Sequence, residues 1–243
     1  MSVPGSDDMM DYFYTPPERV TETGLVIDAE EFVHLTHVMR KSVGDEIRVV
    51  DGAGTAYDVR IAEIRNKTAH CAILVMHPHH HEPVLRVTLA AGVLKNPAKF
   101  DFLVEKATEL GVAEIVPLRT ERTISMHARV DRWGKLALAA MKQSGRSFLP
   151  RVRELTTLDA FLGGTGSDWL KYIAHEEKLP GRVAVGKRPE GFTSAVILIG
   201  PEGGFSDAEV NICLSKGYEP LYLGERRLRT ETAAIVAVAL VVR

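Results

Sequence analysis

From Arg86 onward the sequence alternates short runs of Val, Ile, Leu and Ala with stretches whose apolar residues recur at helical spacing. Arg86 to Val93, Ala113 to Leu118, Trp169 to His175, Ala195 to Gly200 and Tyr218 to Leu223 read as buried strands. Helical signals fall between them. Asn96-Pro97 serves as cap and first residue of a helix whose Phe100, Leu103, Ala107 and Leu110 recur on one face until Gly111 ends it. A longer helix is predicted over Asp131 to Ser144, with Trp133, Leu136, Ala140 and Met141 available to pack. Ser206-Asp-Ala-Glu209 is a capping box, and Thr230 caps a final apolar helix. Strands alternating with helices predict an α/β fold, a mostly parallel sheet covered on both faces.

The first third has a different pattern. Glu46 to Asp51, Tyr57 to Ile64 and Ala69 to Val75 are short alternating segments separated by turn residues such as Gly52-Ala-Gly54. They predict small antiparallel strands closing into a compact β-barrel, with one short helix around Glu30 to Arg40. Between the two patterns lies His77-Pro-His-His-His-Glu-Pro83, which has prolines at both ends and no periodicity. Its histidines, His77, His79, His80 and His81, suggest zinc, but adjacent residues cannot all point at one ion and no cysteine completes a tetrahedral set. A solvated linker is the expectation. The domains are then 1–76, a linker at 77–83, and 84–243.

Composition removes several classes. Among 243 residues, apolar content of 45% and charged content of 26% are ordinary for a globular protein and exclude disordered or collagen-like classes. The sequence MSVPGSDDMMDYF has acids where a signal peptide needs basic residues. The longest apolar run, Ala233 to Val242, is about half of the roughly 20 residues a spanning helix requires. Cys71 and Cys213 are isolated, without CxxC spacing, and suit reduced, buried thiols. A cytoplasmic location without membrane association follows as an expectation. Net charge is −2, so any nucleic-acid contact must be local. Arg119, Arg122, Arg129, Arg132, Lys135, Lys142, Arg146, Arg151 and Arg153 are answered within their run chiefly by Glu121 and Asp131. That run reads either as a solvated helix face or as a local nucleic-acid docking surface.

Two segments carry the chemistry. Ile199-Gly-Pro-Glu-Gly-Gly-Phe205 follows a strand and precedes a helix, the place where open α/β sheets bind ligands, and its glycines would let backbone approach a ligand. It is neither a GxGxxG fingerprint nor a phosphate loop, and a tight structural turn is the plain alternative. The second, Leu223-Gly-Glu-Arg-Arg-Leu-Arg-Thr-Glu-Thr-Ala233, sets three arginines at a helix start, against the preference of the backbone dipole. A local rule broken in this way points to an anionic or electron-rich substrate group.

KNPAKFDFLVEKATELGV, KQSGRSFLPRV, ILIGPEGGFSDAE and LGERRLRTETA, in that order, resemble the successive motifs of the RsmE family, the 16S rRNA (uracil-N3)-methyltransferases of the SPOUT class. His34-Leu-Thr-His-Val-Met-Arg40, Gly44-Asp45 and Asp51-Gly52 resemble that family's PUA-like domain. The resemblance implies a SPOUT-type deep trefoil knot, where general topology rules alone would give an unknotted doubly wound sheet. It also implies a homodimer and 16S rRNA as partner, within the small ribosomal subunit, with no role for DNA. S-adenosylmethionine is the implied methyl donor, held by Leu198, Gly200, Gly203, Leu223, Leu228 and Thr230, and no metal is required.

RNA contacts are expected at Arg40, with His34 and His37 on nearly the same helix face, and at Arg122, Arg132 and Arg146. Arg229 is the expected catalytic residue. It is permanently charged and so cannot be the base, but beside Leu228 it could stabilise charge on the uracil oxygens as N3 loses its proton. Two other readings remain open at this level, a methyltransferase of the same class acting on another RNA and a non-catalytic RNA-binding factor in ribosome assembly.

Overall fold

The computed structural model describes residues 11–124, 127–166, 168–175 and 191–242. The chain forms two compact units, Met1–Glu82 with Met141–Leu149, and Pro83–Ala140 with Pro150–Arg243.

The first unit contains β1 (Tyr12–Tyr14), β2 (Gly24–Ile27), the short helix α1 (Ala29–Val33), β3 (Glu46–Val50), β4 (Thr55–Arg65) and β5 (Thr68–Pro78). They make one sheet in the order β1-β3-β4-β5-β2. Its pairings are antiparallel except that β1 runs parallel to β3. The Thr15 hydroxyl, just after β1, donates to the Val26 carbonyl of β2 at 2.6 Å, so the two edge strands meet and the sheet curves round on itself. Phe13, Ile27, Leu35, Val49, Val59 and Ile61 fill the interior and are fully buried. At about 1.5–3 kcal/mol for each large side chain removed from water, this cluster supplies the unit's main stabilisation.

Two expectations are corrected here. The predicted helix over 30–40 is α1 followed by a wider π turn at His34–Val38, and Arg40 lies beyond it with φ of 53°. His34 is half-buried against Phe13, with ring centroids 5.6 Å apart, while His37 is exposed, so the three residues do not present one helical face. Nor are the histidines after Val75 simply solvated. His77 lies in β5 and bonds Asp58 at 2.7 Å, His80 bonds the Tyr12 hydroxyl at 3.0 Å, and His81 bonds the Gly145 carbonyl at 3.1 Å. Cross-strand and long-range partners, invisible to local pattern, hold them.

The second unit runs β6 (Arg86–Gly92), α2 (Pro97–Glu109), β7 (Glu114–Arg119), α3 (Val130–Gln143, whose last residues belong to the first unit), β8 (Arg151–Val152), β9 (Thr156–Thr157), α4 (Leu158–Leu162), β10 (Leu170–Ala174), β11 (Ser194–Ile199), α5 (Asp207–Ser215), β12 (Glu219–Leu221) and α6 (Thr230–Val242). The sheet order is β12-β10-β11-β6-β7-β8, with β9 also on β7, and every pairing is parallel. The parallel α/β expectation is therefore met. Asn96 accepts from the Ala98 amide with Pro97 next to it, and Ser206 with Glu209 forms the complete capping box, as the sequence signals require. On one side of the sheet Val116, Leu118, Leu198, Phe205 and Phe161 form a buried cluster, and α6 packs against β6, β11 and α2. Phe100 and Trp133 join α2 to α3 with centroids 4.3 Å apart.

Candidate active site

A cavity of about 400 Å3 opens among the loops that follow β10, β11 and β12, at the carboxyl ends of those strands. That volume suits a ligand of nucleoside size. The GPEGG loop forms one wall and Leu223 to Leu228 the other, with Ala174, His175 and Arg122 completing it.

The glycines answer to packing within the protein. A Cβ on Gly200 would stand 2.8 Å from the Gly204 carbonyl carbon and 3.0 Å from the Phe205 nitrogen, so only glycine lets this loop fold back on itself. Gly204 has φ of 68°, in the left-handed region. Beside it, a Cβ on Gly92 at the end of β6 would meet the Pro201 nitrogen at 2.5 Å, which shows how closely the loop sits on the strand. The Lys95 amide also donates to the Glu202 carboxylate at 3.0 Å.

Of the residues expected to hold a donor, Gly200, Gly203, Leu223, Leu228 and Thr230 all line the cavity. Leu198 does not. It is fully buried in the core with Val116 and Phe205, because side chains alternate along β11 and it is Ile199 that reaches the cavity. Arg229 is also displaced from its expected place. Leu228 and Thr230 turn inward, and the side chain between them is exposed, outside the cavity lining. Arg226 and Arg227 line the cavity instead.

The basic run divides by partner. Arg146 is buried, 3% exposed, and its guanidinium pairs with the Glu82 carboxylate at 2.6 Å, so it is not available to RNA. Lys142 is paired with Glu31. Asp101 takes Arg132 at 2.9 Å, Arg129 at 3.1 Å and the Trp133 ring N–H at 3.0 Å, although the Arg132 side chain remains 57% exposed. The carboxylates that answer these cations lie far away in sequence, which is why the run looked unbalanced. Arg122 is exposed at the cavity rim, and its Nη1 donates to the Gly203 carbonyl at 2.9 Å. Arg40 is exposed on the other unit. His175 was missed, since a lone histidine after a strand has no spacing to mark it, whereas Arg226 and Arg227 lie among the three arginines the sequence singles out. Among the described residues no group of His, Cys, Asp or Glu is arranged to hold a metal, and no helix is long and apolar enough to cross a membrane.

A parallel sheet whose strand-end loops enclose apolar walls, backbone polar groups and arginines is the arrangement in which open α/β proteins bind nucleotide-like ligands. The sequence matches the RNA methyltransferase domain over residues 80–242 and the RNA methyltransferase PUA domain over residues 27–74, and the chain belongs to this RNA methyltransferase family. It is 30% identical to ribosomal RNA small subunit methyltransferase E of Synechocystis sp., over 92% of this chain and 74% of that protein. It is 28% identical to the protein of the same name from Bacillus subtilis, over 88% of this chain and 87% of that one. Among solved structures it resembles ribosomal RNA small subunit methyltransferase E of Neisseria gonorrhoeae bound to S-adenosyl methionine, with a TM-score of 0.83, 30% identity and coverage of 95% and 96%. A methyltransferase of Legionella pneumophila in complex with SAM is similar at a TM-score of 0.80 and 29% identity, covering 96% of each chain.

Proposed function

We propose that the protein transfers a methyl group from S-adenosylmethionine to N3 of a specific uridine in the 16S rRNA of the small ribosomal subunit. The observation that carries this reading is the convergence of GPEGG and LGERRLRTETA on one cavity at the carboxyl edge of a parallel sheet. The cavity fits such a donor. Leu223 and Leu228 offer apolar walls for an adenine, and the backbone of the two loops offers donors and acceptors. S-adenosylmethionine, when bound, supplies a methyl group already activated by its sulfonium.

The protein's task is then positioning and charge management. Arg226 and Arg227 line the cavity, and to them we assign the stabilising of negative charge spreading onto uracil oxygens, the role expected of Arg229. His175 and Glu225 line the same cavity, and these are the side chains we assign to accepting the N3 proton. Residues 1–82 with 141–149 act as the RNA-docking domain with Arg40 at its surface, and 83–140 with 150–243 as the methyltransferase domain, in place of the expected divisions 1–76, 77–83 and 84–243. Arg132 adds a phosphate contact from its exposed side.

The same reading includes a trefoil-knotted methyltransferase domain, with which the late insertion of β11 between β6 and β10 is compatible. It includes a homodimer as well. Helix α6 has Glu231 as its one charged residue and leaves Ile235, Val236 and Leu240 half-exposed, an apolar face suited to a second copy. A cytoplasmic location follows from the proposed substrate.

The test is twofold. Calorimetry should show S-adenosylmethionine binding, and small subunits from a strain lacking the modification should acquire 3-methyluridine, read by mass spectrometry of the digested RNA. Donor binding without any methylated nucleotide would instead support a binding factor, and a methyl group on another base or RNA would move the substrate.

A further inference from the structure

We infer that Arg122 is a positioning residue of the donor site, acting through the Gly203 carbonyl to set the GPEGG loop; this rests on the function proposed above.

Three observations build it. The turn at Thr120 to Thr123 is braced internally, with the Thr120 amide donating to the Thr123 hydroxyl at 2.9 Å, the two hydroxyls 3.0 Å apart, and the Thr123 amide donating to the Thr120 carbonyl at 3.1 Å. It is also fastened to α5, because the Glu121 amide donates to one Glu209 carboxylate oxygen at 2.8 Å while the other oxygen takes the Ser206 amide at 2.9 Å. One acid thus closes the helix cap and fixes the turn. From this base Arg122 reaches the loop, with Nη1 on the Gly203 carbonyl at 2.9 Å.

Gly203 is shaped to receive it. A Cβ there would lie 3.2 Å from Arg122 Cβ and 3.4 Å from its Cδ, so a side chain at position 203 would crowd the stem of the arginine. Gly203 has no positive φ that would demand glycine on backbone grounds, and the arginine stem is the neighbour that accounts for it. A charged donor on a loop carbonyl at a cavity rim holds that peptide plane in one orientation, and hydrogen bonds to charged groups are the stronger ones. The turn is therefore a third loop of the site, joined to the GPEGG loop by the Arg122 side chain. An arginine on RNA phosphate, which is how the charge pattern alone reads it, would have no need of a built base or of a matching glycine.

The experiment uses the full-length protein and three measurements on Arg122→Met and Arg122→Lys. Methionine keeps an apolar stem over Gly203 and removes the donor; lysine keeps a charged donor without the planar fork. Arg122→Met should weaken S-adenosylmethionine binding by about tenfold and lower the single-turnover methylation rate at saturating donor by a similar factor. Arg122→Lys should recover part of both. RNA affinity of Arg122→Met and its salt dependence should equal those of the parent. If RNA affinity falls and the salt slope drops by about one unit with donor binding unchanged, Arg122 is a phosphate contact and the inference is overturned. It is equally overturned if the thermal midpoint and donor binding fall together and lysine restores neither, since that is a purely structural residue. A parent protein that binds no S-adenosylmethionine removes the proposed function first, and the inference with it.

Discussion

At the scale of single residues, partners decide more than side-chain type. Glu82 receives Arg146 on both carboxylate oxygens, at 3.3 and 2.6 Å, and the amides of Ser147 and Phe148 at 2.9 and 2.8 Å. Removing the acid takes a carboxylate partner from a guanidinium that is 3% exposed and from two amides. Glu82→Ala is therefore expected to destabilise the protein by about 3–5 kcal/mol, measured by urea unfolding followed through fluorescence. A loss below about 1 kcal/mol would mean that water replaces the carboxylate.

The two thiols make a second residue-scale prediction. Burial pushes Cys213 up to about 12, assisted by Glu209 and Asp159, and burial pushes Cys71 up to about 12 as well. The thiolate is the reactive form, so neither cysteine should be alkylated at pH 8 in the native protein, and both should be in guanidinium. Mass spectrometry counts the adducts. Asp58 gives a pH dependence with a definite sign. Burial alone would raise its carboxyl, but hydrogen bonds and charge from Arg48 and His77 outweigh it and hold it below the ordinary 3.8. A depressed acid stabilises the fold above its unfolded pKa and loses that contribution as pH falls through the folded value. Asp58→Asn should thus narrow its stability gap to the parent as pH drops below about 4, and a gap that stays constant to pH 2 would exclude the mechanism.

At the scale of elements, the caps were legible because their chemistry is local. Asn96-Pro97 and Ser206 to Glu209 each bond within three residues, so four letters of sequence contain the whole interaction. Ser206→Ala should cost about 1 kcal/mol of stability, read by thermal unfolding, and should also loosen the loop that ends on it. The elements missed by the sequence reading, β1, β2, β8, β9 and α4, are two to five residues long. Such segments show no period. β8 and β9 exist because β7 offers its free edge, a property of the sheet and not of their residues. Helix α6 tests the dimer at this scale. Its Leu240 is half-exposed on an otherwise apolar helix, and Leu240→Glu should shift the protein toward monomer in sedimentation. An unchanged mass would place the interface elsewhere.

At the scale of the whole molecule, a net charge of −2 leaves RNA binding to local arginines. Arg40 is exposed, so Arg40→Gln should reduce the salt slope of RNA binding by about one unit and leave donor binding intact, whereas Arg146, being buried, should affect stability. What the sequence determined by itself is whatever a short stretch of chain can hold: the alternation that makes a parallel sheet, the caps, and the two glycine- and arginine-rich loops that mark its carboxyl edge. What only the tertiary structure decided is which charges are free and which side chains face the cavity. Arg146 finds Glu82 at a separation of 64 residues and Arg122 finds Gly203 at 81, and no local pattern records either. Leu198 and Ile199 are alike in composition, yet the strand's two faces send one into the core and the other to the cavity. Burial and ion pairing are settled by what lies across space, and the chain supplies that only once the sheet has formed.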